Sequence, residues 1–210
     1  MAFTTYTELK AAIATRLNRS DLTSAIVDYI TLAEKRINRL VKLAAQETEA
    51  ALTATVGSRA LALPSLFGEP IALYLTTYLP RSEIQYRLPK DIQVLNTNGP
   101  ASAWTIDGSQ ISTDAPADIA YTYTLRYRAI YDIASTETNA LLTNYPDLYF
   151  YGALIEAADH IKNDRSMARY AEMFKEALDE CLNNENKHRK LAMLTTELAP
   201  ASRTNIITGV

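Results

Sequence analysis

From Ile119 to Arg128 the chain alternates without a break. Ile119, Tyr121, Tyr123, Leu125 and Tyr127 fall on one side of an extended segment, and Ala120, Thr122, Thr124, Arg126 and Arg128 on the other. A period of two marks a half-buried strand. One strand cannot stand alone, so this segment commits the middle of the chain to a sheet. Both ends of the sequence carry the other period. Leu9, Ile13 and Leu17 recur at helical spacing behind Thr5 and Glu8, which have the separation of a capping box, so residues 6–17 read as a short helix. Ser20 and Asp21 offer a new cap. Leu22, Ile26, Tyr29/Ile30, Ala33, Ile37 and Leu40/Val41 then mark one face of a helix over 22–42.

The rest of the middle supports the sheet. Thr48, Ala50, Leu52, Ala54 and Val56 alternate, and Gly57-Ser58 turns the chain toward Leu61 and Leu63. The stretch 71–78, IALYLTTY, is rich in strand formers. Leu88-Pro89-Lys90-Asp91 predicts a short helical turn. Asp107-Gly108 between Trp104–Ile106 and Gln110–Ser112 signals a two-residue hairpin turn. Four to six short strands result.

From Pro146 the helical period resumes through residue 163. Asn163–Ser166 interrupts it, and a last helix carries Tyr170, Phe174, Leu178 and Cys181 toward Lys190. The predicted fold class is α+β. N-terminal helices in 1–45 and C-terminal helices in 138–198 pack together as one helical bundle. Residues 46–137 form an inserted antiparallel β-lobe, and 199–210 form an extended tail.

Catalytic equipment is missing from the pattern. Cys181 is the only cysteine, and a small apolar role on a helix explains it. His160 and His188 are the only histidines. Glu156, His160 and Asp164 share a helix face, but one Glu-x-x-x-His is not a dinuclear metal motif, so the row reads as surface ion pairs. No nucleophile elbow, phosphate loop, dinucleotide fingerprint or Cys-x-x-Cys is present. No cofactor, metal or catalytic residue is therefore nominated, and the chain is not read as an enzyme. Net charge is −3, from 21 basic and 24 acidic residues, which argues against a dedicated nucleic-acid binder. The longest apolar runs fall short of a membrane helix.

Aromatic mass gathers at one helix start, "TNYPDLYFYGAL" (143–154). Asn144 can cap, Pro146 suits the first turn, and Asp147 complements the positive helix end. Tyr149 and Tyr151 diverge by about 200° on a helix, so both cannot enter one core. At least one is a candidate for a seam between subunits. Pro200, Ile206, Ile207 and Val210 in the apolar tail are the other candidate partner contacts.

Four segments together resemble one family. "NRSDLTSAIVDYITLAEKRINR" (18–39), "RALALPSLFGEPIALYL" (59–75), "WTIDGSQISTDAPADIAYTYTLRYRAIY" (104–131) and "TNALLTNYPDLYFYGALIEAADHIKND" (138–164) are similar, in that order, to tailed-bacteriophage head–tail adaptor (connector) proteins of podovirus-like type. The resemblance implies a structural virion protein without catalytic residues, made in the host cytoplasm and placed at the head–tail interface. It implies a ring, usually dodecameric, beneath the portal protein. Such a ring extends the channel for double-stranded DNA and docks tail or nozzle components. Two other readings stay open: a β-module that binds carbohydrate or another small ligand through Trp104 and the tyrosines, and a virion-associated cell-wall hydrolase.

Overall fold

The computed structural model of the protein describes residues 3–19 and 21–197. Among them the fold is mixed α+β, with six α-helices and a seven-stranded sheet. The chain divides into two compact units, Met1–Lys42 with Ile133–Val210, and Leu43–Asp132. The sequence places the changeovers at 45/46 and 137/138, whereas the units change over at 42/43 and 132/133. Residues Ile133–Thr136 already coil as a helix, too short to show a period in sequence.

The sheet unit comprises β1 (Glu47–Thr53), β2 (Ala60–Ala62), β3 (Phe67–Leu75), β4 (Ser82–Tyr86), β5 (Ala103–Asp107), β6 (Gln110–Thr113) and β7 (Thr122–Ala129). Their order is β1-β7-β3-β4-β5-β6-β2. The alternating strand is the sheet's organiser: β7 pairs antiparallel with β1 on one side and β3 on the other. Tyr121, Tyr123, Leu125 and Tyr127 are buried as predicted, while Ile119 is exposed. Tyr121 N–H turns back to the Ile119 carbonyl, so Ile119 precedes the strand and escapes its alternation. On the opposite face Arg126 and Arg128 pair with Glu47 across the β1–β7 register, and Arg128 also pairs with Glu69.

The antiparallel expectation needs correction at one seam. β4 and β5 run parallel, through Gln85↔Ala103 and Tyr86↔Trp104. β4 itself, SEIQY, gave no signal in sequence because only Ile84 of its five residues is buried. The strand predicted at 71–78 begins earlier and ends at Leu75. Pro70 sits inside it at a register shift, beyond the three residues that pair with β4. A bulge with one open side is where a strand tolerates proline. The hairpin turn is displaced by one residue. Asp107 pairs with Gln110, so Gly108 and Ser109 make the turn, with Gly108 at φ +60. Leu88–Asp91 closes as one hydrogen-bonded turn and goes no further.

The two edge strands, β1 and β2, are joined by residues 54–59. Seven Cα steps span at most about 25 Å. Six flat inter-strand spacings would need about 29 Å. The sheet must therefore curl, and its concave side holds one cluster that includes Leu61, Leu73, Ile84, Trp104, Ile111 and Leu125. Trp104 is 1% exposed, and its indole N–H donates to the Ile84 carbonyl at 3.0 Å.

The helical unit comprises α1 (Tyr6–Leu17), α2 (Ala25–Leu40), α3 (Ile133–Thr136), α4 (Ala140–Asn144), α5 (Pro146–His160) and α6 (Asp164–Glu197). The Thr5/Glu8 capping box forms as predicted. The free N–H groups at the start of α1 find a second anchor. Tyr6 N–H donates to the Glu137 carbonyl, and the N–H and hydroxyl of Thr7 donate to its carboxylate. These bonds hold the Glu137 carboxyl below the usual carboxylate range. α2 starts later than predicted. Asp21 is taken by Arg19 at 2.6 Å, Ser24 holds the cap position without a side-chain bond, and Ser20 lies outside the described residues.

α5 packs against α1, α2, α4 and α6, and is buried on more than one side. Gly152 is the point of closest approach. A Cβ there would meet the Ala33 methyl of α2 at 3.0 Å and the Phe174 ring of α6 at 3.4 Å. The ion-pair row predicted along α5 does not form: Glu156 pairs with Arg36 of α2, and His160 lies edge-on to Tyr29. Cys181 on α6 is buried, and burial pushes its thiol up to about 11. It is expected to resist thiol reagents at about pH 8 until the chain unfolds. Rapid labelling of the native chain would contradict that placement.

Candidate functional site

The aromatic segment at the start of α5 is built in two layers. Its inner layer is polar and enclosed. Asn144, predicted as the cap, is the last residue of α4, and Tyr145 occupies the cap position of α5. The capping asparagine is Asn139, which accepts the Leu142 N–H at 2.7 Å and so starts α4. Its amide donates to the Tyr149 hydroxyl at 2.8 Å. Tyr149 in turn donates to Glu34 of α2 at 2.8 Å, and Glu34 also accepts the Ile133 N–H at 2.9 Å. Tyr149 and Glu34 are both buried. A buried carboxylate needs such donors, and each charge-assisted bond is stronger than a neutral one. The network thereby ties α2, α3, α4 and α5 together. Tyr149 is committed within its own chain and offers no surface to another.

The outer layer is a groove of about 570 Å³ within the helical unit. Phe3, Phe150 and Tyr151 line it, with Met173 from α6. The rings form a row. Phe3 lies 5.5 Å from Phe150, Phe150 lies 5.5 Å from Tyr151, and Tyr151 stacks on Tyr170 at 6.4 Å. Arg16 of α1 and Arg169 of α6 also line the groove, and the Arg16 guanidinium sits 5.9 Å over the Tyr170 ring. Asp147 also lines the groove, and burial pushes its carboxyl above the usual range. The sign follows: its charge costs stability at neutral pH, and the cost falls away as pH drops through that raised value. Of the two diverging tyrosines, Tyr151 is therefore the one that reaches a surface. Pro200, Ile206, Ile207 and Val210 lie outside the described residues.

Sequence reasoning missed Arg16, Arg169 and Met173. Each sits on a different turn or helix, and nothing in their spacing links them.

The groove presents an aromatic floor with two guanidinium groups and one carboxyl around it. It holds no nucleophile with an adjacent base. A smaller hollow of about 290 Å³ in the sheet unit contains Ser102, Asp91 and Asp114, but no histidine lines it. Ser102 gives both its N–H and its hydroxyl to Asp114, which is buried. Among the described residues no group of three or more His, Cys, Asp or Glu stands close enough to hold a metal. No described helix is long and apolar enough to cross a membrane.

The sequence pattern of the SU10 adaptor protein family matches residues 4–199. The chain belongs to that family. It is thus a phage structural adaptor, which agrees with the head–tail adaptor resemblance of its four sequence segments. No curated protein matches the chain. For an adaptor, a docking groove is the kind of site to expect, and the SU10 adaptor match runs through every element that lines it.

Proposed function

We propose that the protein is a head–tail adaptor that assembles as a dodecameric ring beneath the portal. The ring extends the DNA channel and gives tail or nozzle proteins their docking surface. The observation that carries this reading is the family match, which spans both compact units from residue 4 to 199. In this reading the terminal helices form one bundle with the β-lobe inserted, and the bundle makes the contacts between copies. A net charge of −3 lets DNA pass without being held. Tyr151 belongs to a contact surface, while Tyr149 holds the bundle together. Residues 199–210, with Pro200, Ile206, Ile207 and Val210, gain their contacts only on the portal, which delays assembly until the portal is present.

The carbohydrate reading loses its main support. Trp104 is enclosed by the sheet's own cluster and has no ring face for a sugar.

Co-sedimentation with the purified portal tests the proposal. The full chain is expected to travel with the portal, and a chain lacking 199–210 is expected to bind more weakly. A full chain that stays apart from the portal overturns the adaptor reading. Unchanged binding after the deletion removes the tail from it.

A further inference from the structure

From the groove's edge at Arg169, α6 carries a charged stripe that turns acidic further along. Arg165, Arg169, Glu172, Glu176, Asp179 and Glu180 are all exposed. At about 100° per residue these positions fall within an arc of about 100°, so they form one stripe. The stripe is basic for its first turn and acidic for the turns that follow. None of the ion pairs in the described part of the chain uses any of the six. The same unit thus presents an aromatic groove flanked by Arg16 and Arg169, and next to it an unpaired acidic ridge.

We infer that the groove receives the acidic stretch Glu172–Glu180 of α6 from a second copy of this chain, and that this contact is the seam of the ring. The inference rests on the adaptor reading and names the surfaces that reading needs. Charge chooses the occupant. Two arginines flank the groove against one carboxyl, Asp147, and the ridge supplies four carboxylates that form no ion pair among the described residues. Glutamate stems are apolar, so they can lie on the aromatic floor while their ends reach the arginines. Used head to tail, each copy gives its ridge to one neighbour and its groove to the other. Such a contact makes a ring where its rotation closes.

A charge-swap experiment tests the seam. One variant is Arg16→Glu with Arg169→Glu, and the other is Glu172→Lys with Glu176→Lys and Glu180→Lys. All five side chains are exposed, so both full-length variants should match the parent in circular dichroism and thermal unfolding. Rings on the portal are then counted by electron microscopy against protein concentration. Each variant alone is expected to need about tenfold more protein, because like charges face each other at every seam. The equimolar mixture is expected to recover, since each reversed surface then meets its opposite. Three results overturn the seam: a single variant that assembles as the parent does, a mixture of folded variants that stays defective, or recovery that stops at pairs of copies. Loss of attachment of single copies to the portal would assign the groove to the portal instead. A parent chain that forms no ring at all overturns the adaptor reading itself, and the two failures are thereby told apart.

Discussion

Replacing Trp104 by alanine is expected to destabilise the sheet unit by about 3–5 kcal/mol. The indole is the largest fully buried side chain of that unit and lies on the concave side of the curled sheet. Its ring packs edge-on against Tyr86 at 5.0 Å, and its N–H satisfies the Ile84 carbonyl at the β4–β5 seam. Alanine would leave a cavity bounded by strands that cannot all move inward, because β5 is held on both sides. Trp104→Phe is expected to lose less, since most of the volume stays and only the hydrogen bond goes. Urea unfolding of the three proteins would rank them. A loss below about 1 kcal/mol for alanine would mean that the indole is not enclosed.

The second large effect concerns Tyr149. Tyr149→Phe keeps the ring and removes one oxygen. That oxygen is the donor to buried Glu34 and the acceptor for the Asn139 amide. A buried carboxylate deprived of a donor costs about 1.5–3 kcal/mol. Tyr151→Phe, two residues away, is expected to change stability by less than about 0.5 kcal/mol, because its side chain lines an open groove. Chemical denaturation separates the pair. Equal effects at the two positions would contradict the division into an inner polar network and an outer groove.

That division also shows what the sequence could express. The divergence of Tyr149 and Tyr151 follows from helical geometry alone, and so did the need for two surroundings. Which tyrosine faces inward depends on its bonds to Glu34 and Asn139, and Glu34 arrives from 115 positions away. The β7 alternation was legible because one face is core and the other carries Arg126 and Arg128. β4 was not, since a five-residue strand with one buried residue has no pattern to read. α3 and α4 were missed because helices of four and five residues are shorter than two turns. The Asn144 cap failed for a local reason: Asn139, five residues earlier, starts a helix of its own. Glu156 offered a partner on its own helix at His160, yet paired with Arg36 across the α2–α5 packing. Tertiary proximity chose there, and spacing could not anticipate it. The groove arginines were illegible for the same reason, since Arg16 and Arg169 stand on α1 and α6.

Electron microscopy of the full chain mixed with its portal tests the account most directly. A ring of copies seated coaxially beneath the portal, with an open central channel, is the predicted image. Portal particles that remain bare at saturating concentrations of the chain would contradict it.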